Sequence, residues 1–253
     1  KNLNFGLFKW IDGSKIKQLC NNDITDALIF VKALVSVSKK TTYRKFGFAS
    51  AACISGKMIE EQILKRFQRI SDVASLFPHL QIFLEHHLAI SIEEILTFTI
   101  KHWPEEFSST LQIRHQLLSP SDFGFHNILK TKQGLRFIDF EYFGWDDPVK
   151  LTSDFLLHPA MSLSETQKAL WVDNILSIFS RDPFFKKRLT LSYSLYGLCW
   201  CLIQLNIFIT AEDAKSKTII ESSEIEKKQM EQLHKSQNLL KSLNKSYKSG
   251  LPF

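Results

Sequence analysis

Asp122, Asn127 and Asp139 fall within two short stretches near the middle of the chain, SPSDFGFHNIL at 119–129 and LRFIDFEYFGWDDP at 135–148. A carboxylate can orient a hydroxyl and accept its proton. An amide oxygen and a second carboxylate can hold a hard divalent cation such as Mg2+. Moving a phosphoryl group from ATP to a hydroxyl asks little more of a protein, because positioning and charge neutralisation carry most of that reaction. The three residues occur in the order of a kinase-type phosphoryl-transfer centre. Asp122 is the candidate catalytic residue, and Asn127 and Asp139 are the candidate metal ligands.

A hairpin is needed to position them. Residues 127–130 and 135–139 read as short strands around a polar connection, 131–134, that ends in glycine, so pairing would set Asn127 beside Asp139. Glu141 follows Asp139 by two and would share its side of an extended strand, either to reach a second metal or to make a structural hydrogen bond. Asp147–Pro148 reads as a helix start with proline near the first turn. Asp154, seven residues further on, reads as an acceptor of backbone hydrogen bonds that fix the catalytic loop. His126 reads as a structural hydrogen-bonding group, because magnesium prefers oxygen ligands. Any one of these residues is ordinary, since Asp and Asn are common in turns. The ordered set carries the signal.

On these residues the chain resembles the aminoglycoside-phosphotransferase and choline-kinase-like group of small-molecule kinases, especially its bacterial phosphotransferase members. D-F-G-F-H-N matches the group's D-x-x-x-x-N catalytic loop, and I-D-F-E-Y matches its metal-binding I-D-[FW]-E segment. G-W-D-D-P followed by Asp154 matches its G-x-x-D-P-x-x-x-x-x-D continuation. One departure stands out: Pro120 occupies the position where the group usually has histidine, so support for the loop must come from elsewhere. The resemblance implies an α+β, predominantly helical fold, namely a protein kinase-like large lobe with a catalytic β-hairpin. It also implies ATP or another NTP with Mg2+ as cofactors, and a small-molecule hydroxyl acceptor such as an amino-alcohol, a sugar or an aminoglycoside.

The resemblance extends weakly to the N-terminus. Residues 5–11 (FGLFKWI), ended by Asp12–Gly13, look like the group's hinge, where the backbone of Lys9, Trp10 and Ile11 would hold adenine; an edge strand is the other reading. No Gly-rich loop, strand lysine or partner glutamate precedes it, so the small N-terminal lobe is expected to be largely absent. The expected organisation is 1–13 as the end of the small lobe and hinge, and 14–253 as the helical lobe with its catalytic hairpin at 119–148. A non-catalytic binding or regulatory module, or an inactive fragment lacking the nucleotide lid, is the alternative.

The remainder reads as helical. Helical spacing covers 22–39, 57–70, 91–107, 164–180, 186–210 and a lysine-rich stretch at 217–248, while 38–55 reads as a soft, poorly packed loop. At 253 residues and 44% hydrophobic content the chain can bury a sizeable core, which excludes a wholly disordered protein. Residues 189–211 lack charge, but Ser192, Ser194, Gln204 and Asn206 interrupt the run, which reads as a buried helix rather than a membrane span. Trp171 and Trp200 are expected in the same core.

The net charge of +6 comes largely from the alternating Lys and Glu of the last stretch, a solvated face without nucleic-acid signals. It argues weakly against a polycationic acceptor, unless Asp146, Asp147 and Glu141 build a local acidic cleft. His86–His87 diverge on any regular element and read as surface residues. Cys20, Cys53, Cys199 and Cys201 show no zinc or redox spacing, in keeping with free thiols in the cytoplasm.

Overall fold

Ile24, Ala27, Leu28, Val31 and Leu34 recur at three- and four-residue intervals, and they are the buried stripe of the first helix, α1 (Asn21–Lys40). The computed structural model describes residues 9–16, 19–40, 46–212 and 219–253. After α1 comes α2 (Gly56–Ala74), whose first turn is capped by Ser55, with its hydroxyl oxygen accepting from the Met58 N–H. Then α3 (Pro78–Phe83) passes through one π-helical turn, Leu84–Leu88, into α4 (Ala89–His102). The expected helix over 91–107 stops at His102 because Pro104 forces Trp103 out of the helical region, to φ −57° and ψ 140°. His86 and His87 lie exposed on the π turn.

Among the described residues, five short strands surround the motif residues. A three-stranded antiparallel sheet is ordered β1 (Ser14–Lys15), β3 (Ile128–Thr131), β4 (Gly134–Phe137). The second sheet pairs β2 (Leu117–Ser119) antiparallel with β5 (Gly144–Asp146), setting Ser119 opposite Gly144. Gly134 closes the β3–β4 hairpin at φ +94°, a conformation open to glycine.

Of the hinge strand expected over 5–11, residues 5–8 lie outside the described residues, and Lys9, Trp10 and Ile11 are irregular and exposed; strand β1 begins after Asp12–Gly13.

The C-terminal half is helical: α5 (Pro148–Leu157), α6 (Glu165–Ile178), α7 (Phe185–Gln204), α8 (Asn206–Glu212) and α9 (Ile219–Ser246). Helix α6 opens with a reciprocal Ser164–Gln167 capping box. Helix α7 packs against α2, α4, α5 and α9, which explains its near-continuous apolar sequence. The stretch Phe185–Thr210 is long and apolar enough to cross a membrane, but 61% of its apolar window is buried inside the fold. Trp171 is fully buried, whereas Trp200 is half-buried.

Beneath the motif loop, aromatic rings form a stack. Phe30 of α1 lies 3.8 Å from Phe137 of β4, Phe123 lies 5.5 Å from Phe155 of α5, and Phe155 lies 3.7 Å from Trp171 of α6. Offset ring pairs stabilise by roughly 0.5–1.5 kcal/mol each beyond their burial. The stack ties the motif loop to three helices.

Residues 46–55, expected to be loosely packed, are instead fastened to β5. The Ala49 N–H donates to the Trp145 carbonyl, and the Trp145 N–H donates to that of Gly47, both at 3.0 Å. Ala49, Ala52, Cys53 and Ile54 are buried. Gly144 makes this approach possible, because a Cβ there would sit 2.4 Å from the Ala49 nitrogen and 2.5 Å from the Phe48 carbonyl carbon. Gly144→Ala should therefore destabilise the fold by about 1–3 kcal/mol. In urea unfolding the midpoint falls with little change in slope; an unchanged midpoint would show that the two segments can separate freely.

Candidate active site

Strand β2 ends at Ser119, and after Pro120 the chain turns sharply through Ser121 at φ +66°. That left-handed conformation, costly for a non-glycine residue, is held at both ends. The Ser121 N–H donates to Ser119 Oγ at 3.1 Å, and Ser121 Oγ donates to the Ser50 carbonyl at 2.8 Å. The turn presents Asp122 outward with its side chain 45% exposed.

Residues 125–127 form a 3₁₀ turn that brings Asn127 back onto Asp122. Asn127 Nδ2 donates to the Asp122 carbonyl oxygen at 3.1 Å and to Oδ2 at 3.2 Å. Both amide bonds use the nitrogen, so Oδ1 is left as an acceptor for a hard cation. Across the hairpin, the Ile138 N–H donates to the Asn127 carbonyl at 3.0 Å. Asp139 follows immediately, leaves the strand at φ +64° and is exposed. Asp122, Asn127 and Asp139 are thus brought to one end of one hairpin.

Because β4 ends at Phe137 and Asp139 is left-handed, the extended-strand argument for Glu141 does not apply. Glu141 is exposed, and its carboxylate beside the Tyr142 hydroxyl, with Asp139 and Asp122 nearby, raises the tyrosine pKa.

His126 supplies the support that Pro120 cannot. Its Nε2 lies 3.1 Å from Asp122 Oδ1, so an imidazole four residues after the aspartate steadies it. Gly124 leaves room for that ring; a Cβ there would lie 2.8 Å from His126 Nδ1. The His126 ring stacks on His158 at 4.3 Å and 11°. His158 Nδ1 accepts from the Ala160 N–H, and Trp200 meets the His158 ring edge-on at 4.7 Å. Burial, and His126 alongside, lower the His158 pKa.

Donor atoms of Asp122, His126 and His158 lie within 4.8 Å of one another. Two imidazoles stacked face to face cannot both aim in-plane lone pairs at one ion, so this trio is a poor metal cage in this arrangement. The oxygen pair Asn127 Oδ1 and Asp139 suits Mg2+ better.

The Asp154 carboxylate accepts no backbone hydrogen bond among the described residues. It sits one turn beyond Lys150 on α5, so Oδ2 takes the Lys150 ammonium at 2.8 Å and Oδ1 takes the Trp200 indole N–H at 2.9 Å. Burial alone would lower the Lys150 pKa, but Asp154 and Asp146 beside it reverse the sign and raise it.

Backbone anchoring falls to the two preceding aspartates instead, both buried, so no acidic cleft forms from Asp146, Asp147 and Glu141. Asp147 caps α5 through the Val149 N–H and accepts both Nε and Nη2 of Arg188 at 3.1 Å; Arg188 Nη1 donates to Asp182 at 2.9 Å. Asp146 Oδ1 accepts from the N–H groups of Cys53 and Asp147 at 2.9 and 2.8 Å. His158, Trp200, Tyr142 and Arg188 carry no local sequence signal for these contacts; they arise only when distant helices meet.

Burial pushes the Asp146 carboxyl up to about 7, against the opposing charge of Lys150. A carboxyl raised in this way favours the folded state while protonated. That advantage fades as pH rises from its ordinary 3.8 to about 7. Asp146→Asn keeps the acceptor and should gain stability relative to the parent between about pH 4 and pH 7, the window between the ordinary and the raised carboxyl pKa. Asp146→Ala orphans two buried N–H groups and should cost about 1–3 kcal/mol for each. Urea unfolding at the two pH values checks both; equal losses for Asn and Ala would remove the anchoring role.

The notch beside Asp122, bordered by Phe30, Asn127, Phe137 and Phe140, holds only about 10 Å³. It is too small to enclose a substrate by itself.

By sequence, the chain matches no protein-family model and no curated protein. Solved structures do resemble it. Choline kinase from Cryptosporidium parvum superposes with a TM-score of 0.50 at 14% identity, over 95% of this chain and 73% of that one. The amicoumacin kinase hAmiN, in complex with AMP-PNP, Ca2+ and Ami, gives 0.47 at 11% identity, over 90% and 64%. The ADP-bound aminoglycoside phosphotransferase APH(2'')-Ib gives 0.46 at 16%, over 88% and 71%. At the level of fold, the resemblance carried by the motifs is met: this chain has the protein-kinase-like fold of choline kinase, a small-molecule kinase.

Proposed function

We propose that the protein is an ATP-dependent phosphotransferase that moves the γ-phosphoryl group to a hydroxyl of a small molecule. The observation that carries this reading is the convergence of Asp122, Asn127 and Asp139 at one end of the β3–β4 hairpin, with Asn127 bound to Asp122 through its nitrogen only. Asp122 orients the acceptor hydroxyl and takes its proton, and His126 holds the carboxylate in place. Asn127 Oδ1 and the Asp139 carboxylate would hold Mg2+, which when bound neutralises the charge of the transferring phosphates. The backbone at Lys9, Trp10 and Ile11 is proposed to meet the adenine edge. The acceptor class stays broad: amino-alcohols, sugars and aminoglycoside-like compounds all carry suitable hydroxyls.

The small notch at Asp122 favours a second reading, a kinase-like binding module that does not transfer phosphate. Incubation with Mg-ATP and a panel of hydroxylated compounds, followed by mass spectrometry for an added phosphoryl group, separates the two. A phosphorylated product formed by the parent and not by Asp122→Asn supports the enzyme. Nucleotide binding without any phosphorylated product supports the module.

A further inference from the structure

A cavity of about 860 Å³, within the range of small-molecule sites, lies away from Asp122. It opens between the last turn of α1, the 3₁₀ turn Ile113–His115 leading into β2, and the link from α6 to α7. Phe30 borders the notch at Asp122 and Lys39 borders this cavity. Both lie on α1, separated by about 13 Å of helix.

Its lining has an uneven charge. Lys39, Arg114 and Arg181 contribute three exposed cations. Lys39 and Arg181 have no ion pair among the described residues, and Arg114 engages only its Nε, which donates to His115 Nε2 at 3.2 Å. The one lining carboxylate, Asp182, is already committed to Arg188 at 2.9 Å, with His115 Nδ1 a further 3.8 Å neighbour. The C-terminal half-charges of α1 and α6 oppose an anion here, but Lys39 and Lys40 sit on the last turn of α1 to offset them.

One further feature describes the ligand: Trp145, Ile178 and Phe179 give the cavity an apolar wall. Gln116, also on the lining, is buried and donates its amide nitrogen to the Leu111 carbonyl at 2.7 Å.

From these observations we infer that the cavity between α1, β2 and the α6–α7 link is a binding site for an amphipathic organic anion, an aromatic or aliphatic body bearing a phosphate or carboxylate. Lys39, Arg114 and Arg181 hold the charge, and the Trp145 wall holds the body. The inference is independent of the reaction at Asp122.

Calorimetric titration of the full chain in EDTA tests it, with phenyl phosphate, benzoate, inorganic phosphate and benzyl alcohol as probes. Without Mg2+ the carboxylates at the hairpin repel all three anions. Saturable one-to-one binding of phenyl phosphate or benzoate is expected, with the better probe identifying the headgroup. Arg181→Glu and Lys39→Glu should each weaken it by about tenfold or more, as for loss of a charge-assisted hydrogen bond. Both residues are exposed, so thermal melts should match the parent and exclude misfolding as the cause. Binding unaffected by either substitution, benzyl alcohol binding as tightly as the anions, inorganic phosphate binding as tightly as phenyl phosphate, or no binding by either aromatic anion would overturn the proposal.

Discussion

Asp122→Asn is expected to lower the rate of phosphoryl transfer by about 10²–10⁴-fold, the usual contribution of a positioned general base. The substitution keeps the size of the side chain and an oxygen that can accept from Asn127 Nδ2, whose present bond is 3.2 Å. It removes the carboxylate proposed to take the hydroxyl proton. Because Asp122 is half-exposed and the buried aromatic stack lies beneath it, the unfolding midpoint should scarcely move. The affinity for Mg-nucleotide should also persist, since the proposed metal contacts are Asn127 and Asp139. Turnover, melting and nucleotide binding should therefore separate cleanly. Equal losses in all three would mean that Asp122 is a loop-stabilising residue.

The largest effect on stability is expected from Arg188→Ala. The guanidinium is buried, and it joins Asp147 at the head of α5 to Asp182 at the entry to α7 through three hydrogen bonds of 2.9–3.1 Å. Burial opposes its charge, yet the two carboxylates raise its pKa, so the guanidinium stays charged. Removing the cation strands two buried carboxylates, at a cost of about 3–5 kcal/mol, a large share of a typical domain's stability. Urea unfolding of Arg188→Ala measures the loss. Combining it with Asp147→Asn and Asp182→Asn should recover part of it, because the stranded charges are then gone. A loss under about 1 kcal/mol would show that water reaches the carboxylates, as it does for surface pairs.

What was readable in the sequence follows from how local each interaction is. The helices α1, α2 and α6 were legible because their apolar periodicity and caps are written within single segments. The hairpin was legible for the same reason, with Gly134 marking its turn. Pairing of β2 with β5 was not, because it joins residues 117–119 to 144–146 and each strand has only three residues. The fastening of 46–55 to β5 was missed because its small, polar composition imitates a free loop, while its backbone hydrogen bonds depend on Gly144 far along the chain.

At the site, the set Asp122, Asn127 and Asp139 could be named from spacing alone. Their supports could not. His126 was visible beside the motif, but its stacking on His158 and the link through Trp200 to Asp154 need α5 and α7 to be packed together. The same-side placement of Glu141 with Asp139 does not follow, because the backbone turns left-handed at Asp139 rather than continuing as a strand past Phe137.

The most direct test of the proposed centre is a thermal-shift titration of the protein with ATP, with and without Mg2+, on the parent and on Asp139→Ala. A ligand bound only by the folded state raises stability by RT ln(1 + [L]/Kd). The account predicts a saturable upward shift for the parent that requires Mg2+ and is lost in Asp139→Ala. A shift of equal size without Mg2+, or one retained in full by Asp139→Ala, would contradict the assignment of Asp139 as a metal ligand; no shift at saturating Mg-ATP would contradict a nucleotide site in this chain.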